Sequence, residues 1–219
     1  MDIAISLLSA NFADLANHIR SILKQGADRL HVDVMDHHYV SQLTFGPIVC
    51  QHLLQALSDF KHIPIDVHLM TEQPHRLFQA FANVRHGFDM TVTFHPLCSQ
   101  NVIRDLNKLH ELDLKTGLAI NPDESFDTII PLLDTSLLDQ LLVMTVPPGK
   151  AGQTFMREPI DRLKTLASHH SLPYVVVDGG INDQTITQLK GAPIDAVVSG
   201  SFVFGHSTPK NAIASLRVV

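Results

Sequence analysis

Tyr174-Val175-Val176-Val177, closed by Asp178-Gly179-Gly180, is a short β-branched run that stays apolar on both faces and stops at a carboxylate and two glycines. Parallel strands covered by helices on each side have this composition, because neither face meets water. Working outward, similar runs recur at residues 3–6, 29–34, 65–69, 88–93, 116–120, 138–144 and 194–199. Between them lie segments with helical spacing. Phe12, Leu15, Ile19, Ile22 and Leu23 form one apolar stripe, with Asn11 as N-cap and Gly26 just past the end. Residues 74–84 form a second. A third runs from 158 to about 168, with Pro159 in its first turn.

Strand and helix thus alternate about eight times. No Pro/Gly/Ser-rich linker or charge block divides the chain, so residues 1–219 read as one domain. Short connections between such units imply a parallel sheet with right-handed crossovers. Eight units in 219 residues favour closure into a single-domain α/β fold, the (β/α)8 TIM barrel. The competing architecture is a doubly wound open sheet, and the run pattern by itself does not prove closure.

Composition narrows the function. Apolar residues make up 45% of the chain and the net charge is −6, with histidine neutral. No Lys/Arg run offers a nucleic-acid or polybasic membrane surface, so an anionic substrate needs a local positive site. Cys50 and Cys98 form no CxxC and read as small hydrophobes in a reducing compartment. The segment Met1-Asp2-Ile3-Ala4-Ile5-Ser6 carries no signal-peptide pattern, and no apolar run approaches the roughly 20 residues of a membrane span. A cytoplasmic protein is expected.

Polar residues in strands are the informative exceptions. Ser6 ends the first run, His31 and Asp33 lie in the second, His68 lies in the third, and Asp178 follows the seventh. In a barrel the C-terminal strand ends form the mouth of the active site. His31 and Asp33 are two apart, so they share a face; Met35 continues that series, and His68 and Met70 repeat it on the next strand. If those faces point inward, two imidazoles converge with Asp33 and Asp178. That mixed nitrogen and oxygen set suits Zn, Mn, Fe or Co better than Ca or Mg. A single His-x-Asp is ordinarily just a hydrogen-bonded pair; position at the strand ends is what lifts these four above the rest. The chain has 14 histidines, and His18, His52, His62, His75, His86, His110, His169 and His170 read as surface residues.

Glycine loops give a second signal. Gly179-Gly180 follows strand seven, Gly200-Ser201 follows strand eight, and Pro148-Gly149-Lys150-Ala151-Gly152 follows strand six. Glycine lets backbone N–H groups approach an oxyanion, and barrels often bind phosphate after strands seven and eight. The strand-six loop reads as a lid, with Lys150 adding charge near the phosphate; a plain surface turn is the equal alternative for Lys150.

The chain resembles the ribulose-phosphate 3-epimerase family along nearly its whole length. The resemblance rests on Ile5-Ser6-Leu7-Leu8-Ser9-Ala10, His31-Val32-Asp33-Val34-Met35-Asp36, Leu43-Thr44-Phe45-Gly46-Pro47 and Asp66-Val67-His68-Leu69-Met70. It continues through Gly117-Leu118-Ala119-Ile120-Asn121-Pro122, Val143-Met144-Thr145-Val146, Val177-Asp178-Gly179-Gly180-Ile181 and Ser199-Gly200-Ser201. It implies that His31, Asp33, His68 and Asp178 hold one divalent metal ion, zinc in the first place, with Fe, Mn or Co as alternatives. It implies that Asp33 and Asp178 are the acid–base pair and that Ser6 and His68 contact the sugar. Met35, Met70 and Met144 would line the reacting carbons. Phosphate would be held by Gly149, Lys150, Ala151 and Gly152, by Gly179 and Gly180, and by Gly200 and Ser201. Three places depart from the family: His37 replaces a glycine, Ser41-Gln42 replaces Pro-Asn, and Pro147 to Gln153 replaces Glu-Pro-Gly-Phe-Gly-Gly-Gln.

The implied reaction is epimerisation at C3 of a ketose phosphate, D-ribulose 5-phosphate to D-xylulose 5-phosphate. A metal-stabilised enediolate would be served on its two faces by the two aspartates. The altered strand-six loop makes a six-carbon substrate such as allulose 6-phosphate the alternative. A non-catalytic sugar-phosphate binder is a further one, set against the retention of both aspartates and both histidines. Aldolase or decarboxylase chemistry lacks its signals: no lysine stands convincingly at a strand end, and Asp-x-Lys-x-x-Asp is absent. The expected partner is the phosphorylated ketose, with no nucleic acid and no membrane; a homo-oligomer is compatible with the resemblance.

Overall fold

The computed structural model describes residues 1–217; the last two residues of the expected domain, 218 and 219, lie outside the described residues. Eight parallel strands form: β1 (Asp2–Ser6), β2 (Arg29–Met35), β3 (Ile65–Met70), β4 (Met90–Phe94), β5 (Lys115–Ile120), β6 (Gln140–Met144), β7 (Tyr174–Asp178) and β8 (Ala196–Ser199). They pair in chain order, and β8 pairs with β1 through Ile3↔Val197 and its neighbours. The sheet is therefore a closed (β/α)8 barrel, and the open-sheet alternative is excluded. No helix among the described residues is long and apolar enough to cross a membrane.

Around the barrel run α1 (Leu15–Lys24), α2 (Pro47–Ala56), α3 (Phe78–Val84), α4 (Val102–Glu111), α5 (Ile130–Leu133), α6 (Glu158–Ala167), α7 (Ser201–Phe204) and α8 (Pro209–Ser215). Between β7 and β8 the helical element is a 3-10 turn, Ile186–Leu189. In α1, Leu15, Ile19, Ile22 and Leu23 are buried at the spacing of one helix face. Phe12 does not belong to that stripe. It stands on a preceding 3-10 turn, Phe12–Asp14, 49% exposed and edge-on to Phe45, and Asn11 caps this turn rather than α1. The expected helix over 74–84 is likewise a 3-10 turn, Pro74–Arg76, followed by α3. Asp178 is the last residue of β7, not the residue after it. Cys50 is buried as expected, Cys98 only partly, and both are free.

Side-chain alternation sorts β2 into two faces. Leu30, Val32 and Val34 join the apolar layer between sheet and helices. Arg29, His31, Asp33 and Met35 point into the barrel interior. The floor of the barrel is polar: Arg29 pairs with Asp66 at 2.6 Å and reaches Gln140, whose Nε2 donates to Thr93 Oγ1 at 3.2 Å. Two residues higher on β2 and β3 lie His31 and His68, and two further on β2 lies Asp33, all buried.

Candidate metal centre and active site

Parallel pairing sets Asp33 beside His68 and Met35 beside Met70 across β2 and β3, and Asp178 beside Met144 across β6 and β7. Closure then carries Asp178 to His31. His31 Nε2 lies 3.4 Å from Asp33 Oδ1 and 3.6 Å from Asp178 Oδ2, and His68 Nδ1 lies 3.4 Å from the same Asp33 oxygen. One ligand atom from each of the four residues falls within 4.8 Å of the others.

These are not ordinary hydrogen-bonded pairs. Both ring nitrogens of His31 and Nδ1 of His68 are buried without a hydrogen-bond partner. Each such atom costs roughly 1–3 kcal/mol, and two of them, His31 Nε2 and His68 Nδ1, face the same Asp33 oxygen, which asks for a shared cation between them. Two imidazoles and two carboxylates fit a divalent transition metal ion, with the pocket side left open. Ser6 Oγ donates to Asp33 Oδ2 at 2.7 Å, which fixes that carboxylate and turns its other oxygen to the histidines.

The charges are strongly coupled. Burial disfavours a proton on His31, but the Asp33 carboxylate and then Asp178 outweigh it and raise its pKa to about 9. Burial alone would raise Asp33 too; His31 and His68 outweigh it and hold that carboxyl far below the usual range. Asp178 goes the other way. Burial, opposed by His31 and reinforced by Asp33, raises it to about 7. Burial also depresses His68, against the pull of Asp33, and depresses His95 strongly, with His68 adding to the effect.

Above this cluster opens a cavity of about 350 Å³. Ser6, Asp33, Asp178, Met35, Met70 and Met144 line it, as do Gly149, Lys150, Ala151, Gly152, Gly179, Gly180, Gly200 and Ser201. His31 and His68 do not line it; they lie beneath, behind the carboxylates. Lys150 is the one lysine or arginine among the lining residues described. Gly179 has φ +120°, and a Cβ there would sit 2.5 Å from Val146 Cγ2, so this backbone turn accepts only glycine. Thr145 Oγ1 ties the turn down by donating to Gly179 O at 2.6 Å. The strand-six loop is closed on itself: Gln153 Nε2 donates to the carbonyls of Pro147 and Lys150 at 2.6 and 2.9 Å.

The eight histidines read as surface residues are all exposed or half-buried. One buried histidine went unread. His95, just after β4, is fully buried, with its Nε2 2.9 Å from Nε2 of His68. It is a polar residue at a strand's C-terminal end, the signal that found the other four; ending the fourth run at residue 93 placed it out of reach. Tyr39 was also missed, and nothing in its local pattern marks it; Gln153 was read only as the end of the strand-six loop, with no role in holding it. His37 takes φ +61°, the left-handed region, at the position where the resemblance expects glycine.

The sequence matches the model of the Ribulose-phosphate 3 epimerase family over residues 2–204. It is 36% identical over 220 residues to a ribulose-phosphate 3-epimerase of Bacillus subtilis (strain 168), covering 98% of this chain and 97% of that one. It is 40% identical over 217 residues to a ribulose-phosphate 3-epimerase of Rhodospirillum rubrum, covering 98% and 92%. Among solved structures, it overlays on a 3-hexulose-6-phosphate synthase from Salmonella typhimurium with a TM-score of 0.70 at 17% identity, over 99% of this chain and 96% of that one. It overlays on a 3-keto-L-gulonate-6-phosphate decarboxylase from Vibrio cholerae with 0.69 at 16%, over 99% and 95%. At such identities these two share the fold alone. With nearly the whole length matched in sequence and the barrel closed in chain order, the chain belongs to the ribulose-phosphate 3-epimerase family.

Proposed function

We propose that this chain interconverts D-ribulose 5-phosphate and D-xylulose 5-phosphate by inverting C3, with Asp33 and Asp178 as acid–base pair. The observation that carries the reading is the contrast between these carboxylates. They stand on β2 and β7, both against His31, yet one is held ionised and the other is raised to about 7. A proton must leave one face of C3 and another must arrive on the opposite face, which calls for one base and one acid at the same pH. Asp33 accepts the proton and Asp178 returns one; in the reverse direction the roles exchange.

His31, Asp33, His68 and Asp178 are the ligands of one divalent ion, zinc as first choice and Fe, Mn or Co as alternatives. When bound, that ion supplies Lewis-acid polarisation of the ketone and stabilises the negative charge that develops on the sugar. The chain's other residues orient and enclose. Ser6 contacts the sugar, while Met35, Met70 and Met144 make an apolar wall that limits water at the reacting carbons; His68, expected from the resemblance to touch the sugar, lies beneath the carboxylates and acts only through the ion it would hold. Backbone N–H groups of the loop 149–152, of Gly179 and Gly180, and of Gly200 and Ser201 hold the phosphate, with Lys150 supplying positive charge in a chain of net charge −6. A cytoplasmic setting is part of this reading, supported by two free cysteines.

A six-carbon ketose phosphate is the second reading, favoured by the altered loop at Pro147, Lys150 and Ala151. The test is a coupled assay with ribulose 5-phosphate, joined to elemental analysis of protein purified without chelator. Xylulose 5-phosphate formation and about one transition metal ion per chain are the expected results. Absence of turnover by metal-loaded protein, or full activity of metal-free protein in chelator, overturns the proposal.

A further inference from the structure

His68 has a neighbour on the side away from Asp33. Its Nε2 lies 2.9 Å from Nε2 of His95, the ring centroids are 5.1 Å apart, and neither residue has exposed surface. Two imidazole nitrogens at this distance share one proton, so one ring donates and the other accepts. The metal centre decides which. His68 turns Nδ1 toward Asp33 Oδ1, and that nitrogen has no hydrogen-bond partner among the described residues. To ligate a cation, Nδ1 must present its lone pair, so the ring proton stands on Nε2 and points at His95. With the protons reversed, His68 would carry N–H at Nδ1, aimed at Asp33, and that nitrogen could not ligate.

We propose that His95 is a positioning residue for the metal centre: its Nε2 accepts from His68 Nε2–H and thereby holds His68 as an Nδ1 ligand. This rests on the reading of His31, Asp33, His68 and Asp178 as a metal centre. His95 is held by its backbone and by ring packing, while its own Nδ1, which carries the proton in this arrangement, has no hydrogen-bond partner among the described residues. It precedes Pro96 in extended backbone, and its carbonyl accepts from Cys98 N at 2.9 Å. The Tyr39 ring lies against it at 4.8 Å, and Tyr39 is held in turn by Asn121 Nδ2, which donates to its hydroxyl at 2.8 Å. Partners of this kind on a ligating histidine fix both ring orientation and tautomer.

The experiment titrates cobalt(II) into metal-free wild type, His95→Leu and His95→Gln against a competing chelator, following visible absorption. Leucine removes the acceptor; glutamine offers an amide oxygen near the position of Nε2. His95→Leu should bind cobalt about 10- to 100-fold more weakly, while His95→Gln should stay within about threefold of wild type. Nitrogen-15 NMR of zinc-loaded wild type supplies a readout that needs no variant, and the ring proton of His68 should be found on Nε2. A folded His95→Leu with wild-type affinity overturns the proposal, as does a His95→Gln as weak as the leucine variant or a proton on Nδ1. Should His95→Leu fail to fold, the glutamine variant and the NMR assignment still decide. Wild type that takes up no cobalt brings down the metal-centre reading itself; tight wild-type binding that His95→Leu leaves unchanged removes this inference alone.

Discussion

Asp33 and Asp178 differ in what surrounds their oxygens. Asp33 accepts from Ser6 Oγ and faces both His31 and His68, whereas among the described residues Asp178 is paired with His31 alone. One carboxylate is thus held ionised while the other retains a proton near neutrality, so neither replaces the other. Asp33→Asn and Asp178→Asn should each cost at least about 10²-fold in kcat, with metal content measured beside each rate. A variant that keeps its metal and near-native turnover would end the two-carboxylate mechanism. His31 leads to a prediction with a definite sign. Its pKa in the folded metal-free chain is about 9, above the ordinary 6.5. Its protonation therefore stabilises the metal-free fold fully below pH 6.5, and that contribution fades as pH rises through about 9. A cation needs the same nitrogen unprotonated. Zinc loading at pH 7 should expel at least about one proton per ion, and affinity should climb with pH. Calorimetric titration in two buffers of different ionisation heat checks this; a heat independent of buffer would contradict it.

The strand-six loop is the element that departs most from its family. Gly149 has φ +107° and brings its α-carbon close against Val40, where a Cβ would lie 3.0 Å from Val40 Cβ; Gln153 pins the same loop to itself. Lys150 projects from it, exposed, on the rim of the cavity. If it meets the phosphate equally in ground and transition states, Lys150→Ala should raise KM about three- to tenfold and leave kcat within about twofold. Unchanged KM would return Lys150 to the class of surface turns, the alternative that its sequence left open. Elements differed in how well they could be read. The doubly apolar strands were legible because helices cover one face and the barrel interior the other. Their starts were less so: Phe88 and Leu138 are buried but precede β4 and β6, since loops tucked under helices also bury apolar side chains. Phe12 kept helical spacing yet sits on a 3-10 turn, its ring against Phe45, a contact between residues far apart in sequence. The four candidate ligands were legible as polar residues at strand ends. Their convergence was not, because it depends on β8 meeting β1. His95 was lost with the end of its strand: Leu69 pairs with Phe94, which carries β4 far enough to set the next residue beside His68.

Closure gives the molecule a fixed distance between two anchors, and substrate length follows from it. The cluster of His31, Asp33, His68 and Asp178 hangs from β2, β3 and β7, while the glycine loops after β6, β7 and β8 line the cavity above it. Both sets are attached to strands of one hydrogen-bonded barrel, so their separation does not adjust to the sugar as a flexible loop would. Extra room for a sixth carbon has to come from the strand-six loop. That loop is held down by Gln153 and by the contact of Gly149 with Val40, and the cavity beneath it is about 350 Å³. Its new residues change charge and shape at the rim without unpinning it. The five-carbon substrate should therefore be preferred. Measured on one preparation, kcat/KM for ribulose 5-phosphate should exceed that for allulose 6-phosphate by more than about tenfold, or about 1.4 kcal/mol in transition-state binding. A preference of that size for the hexulose would mean that the loop opens during turnover. Gln153→Ala separates the two cases: releasing the pin should narrow the gap between the sugars if the loop sets the length, and should leave it unchanged if the barrel does.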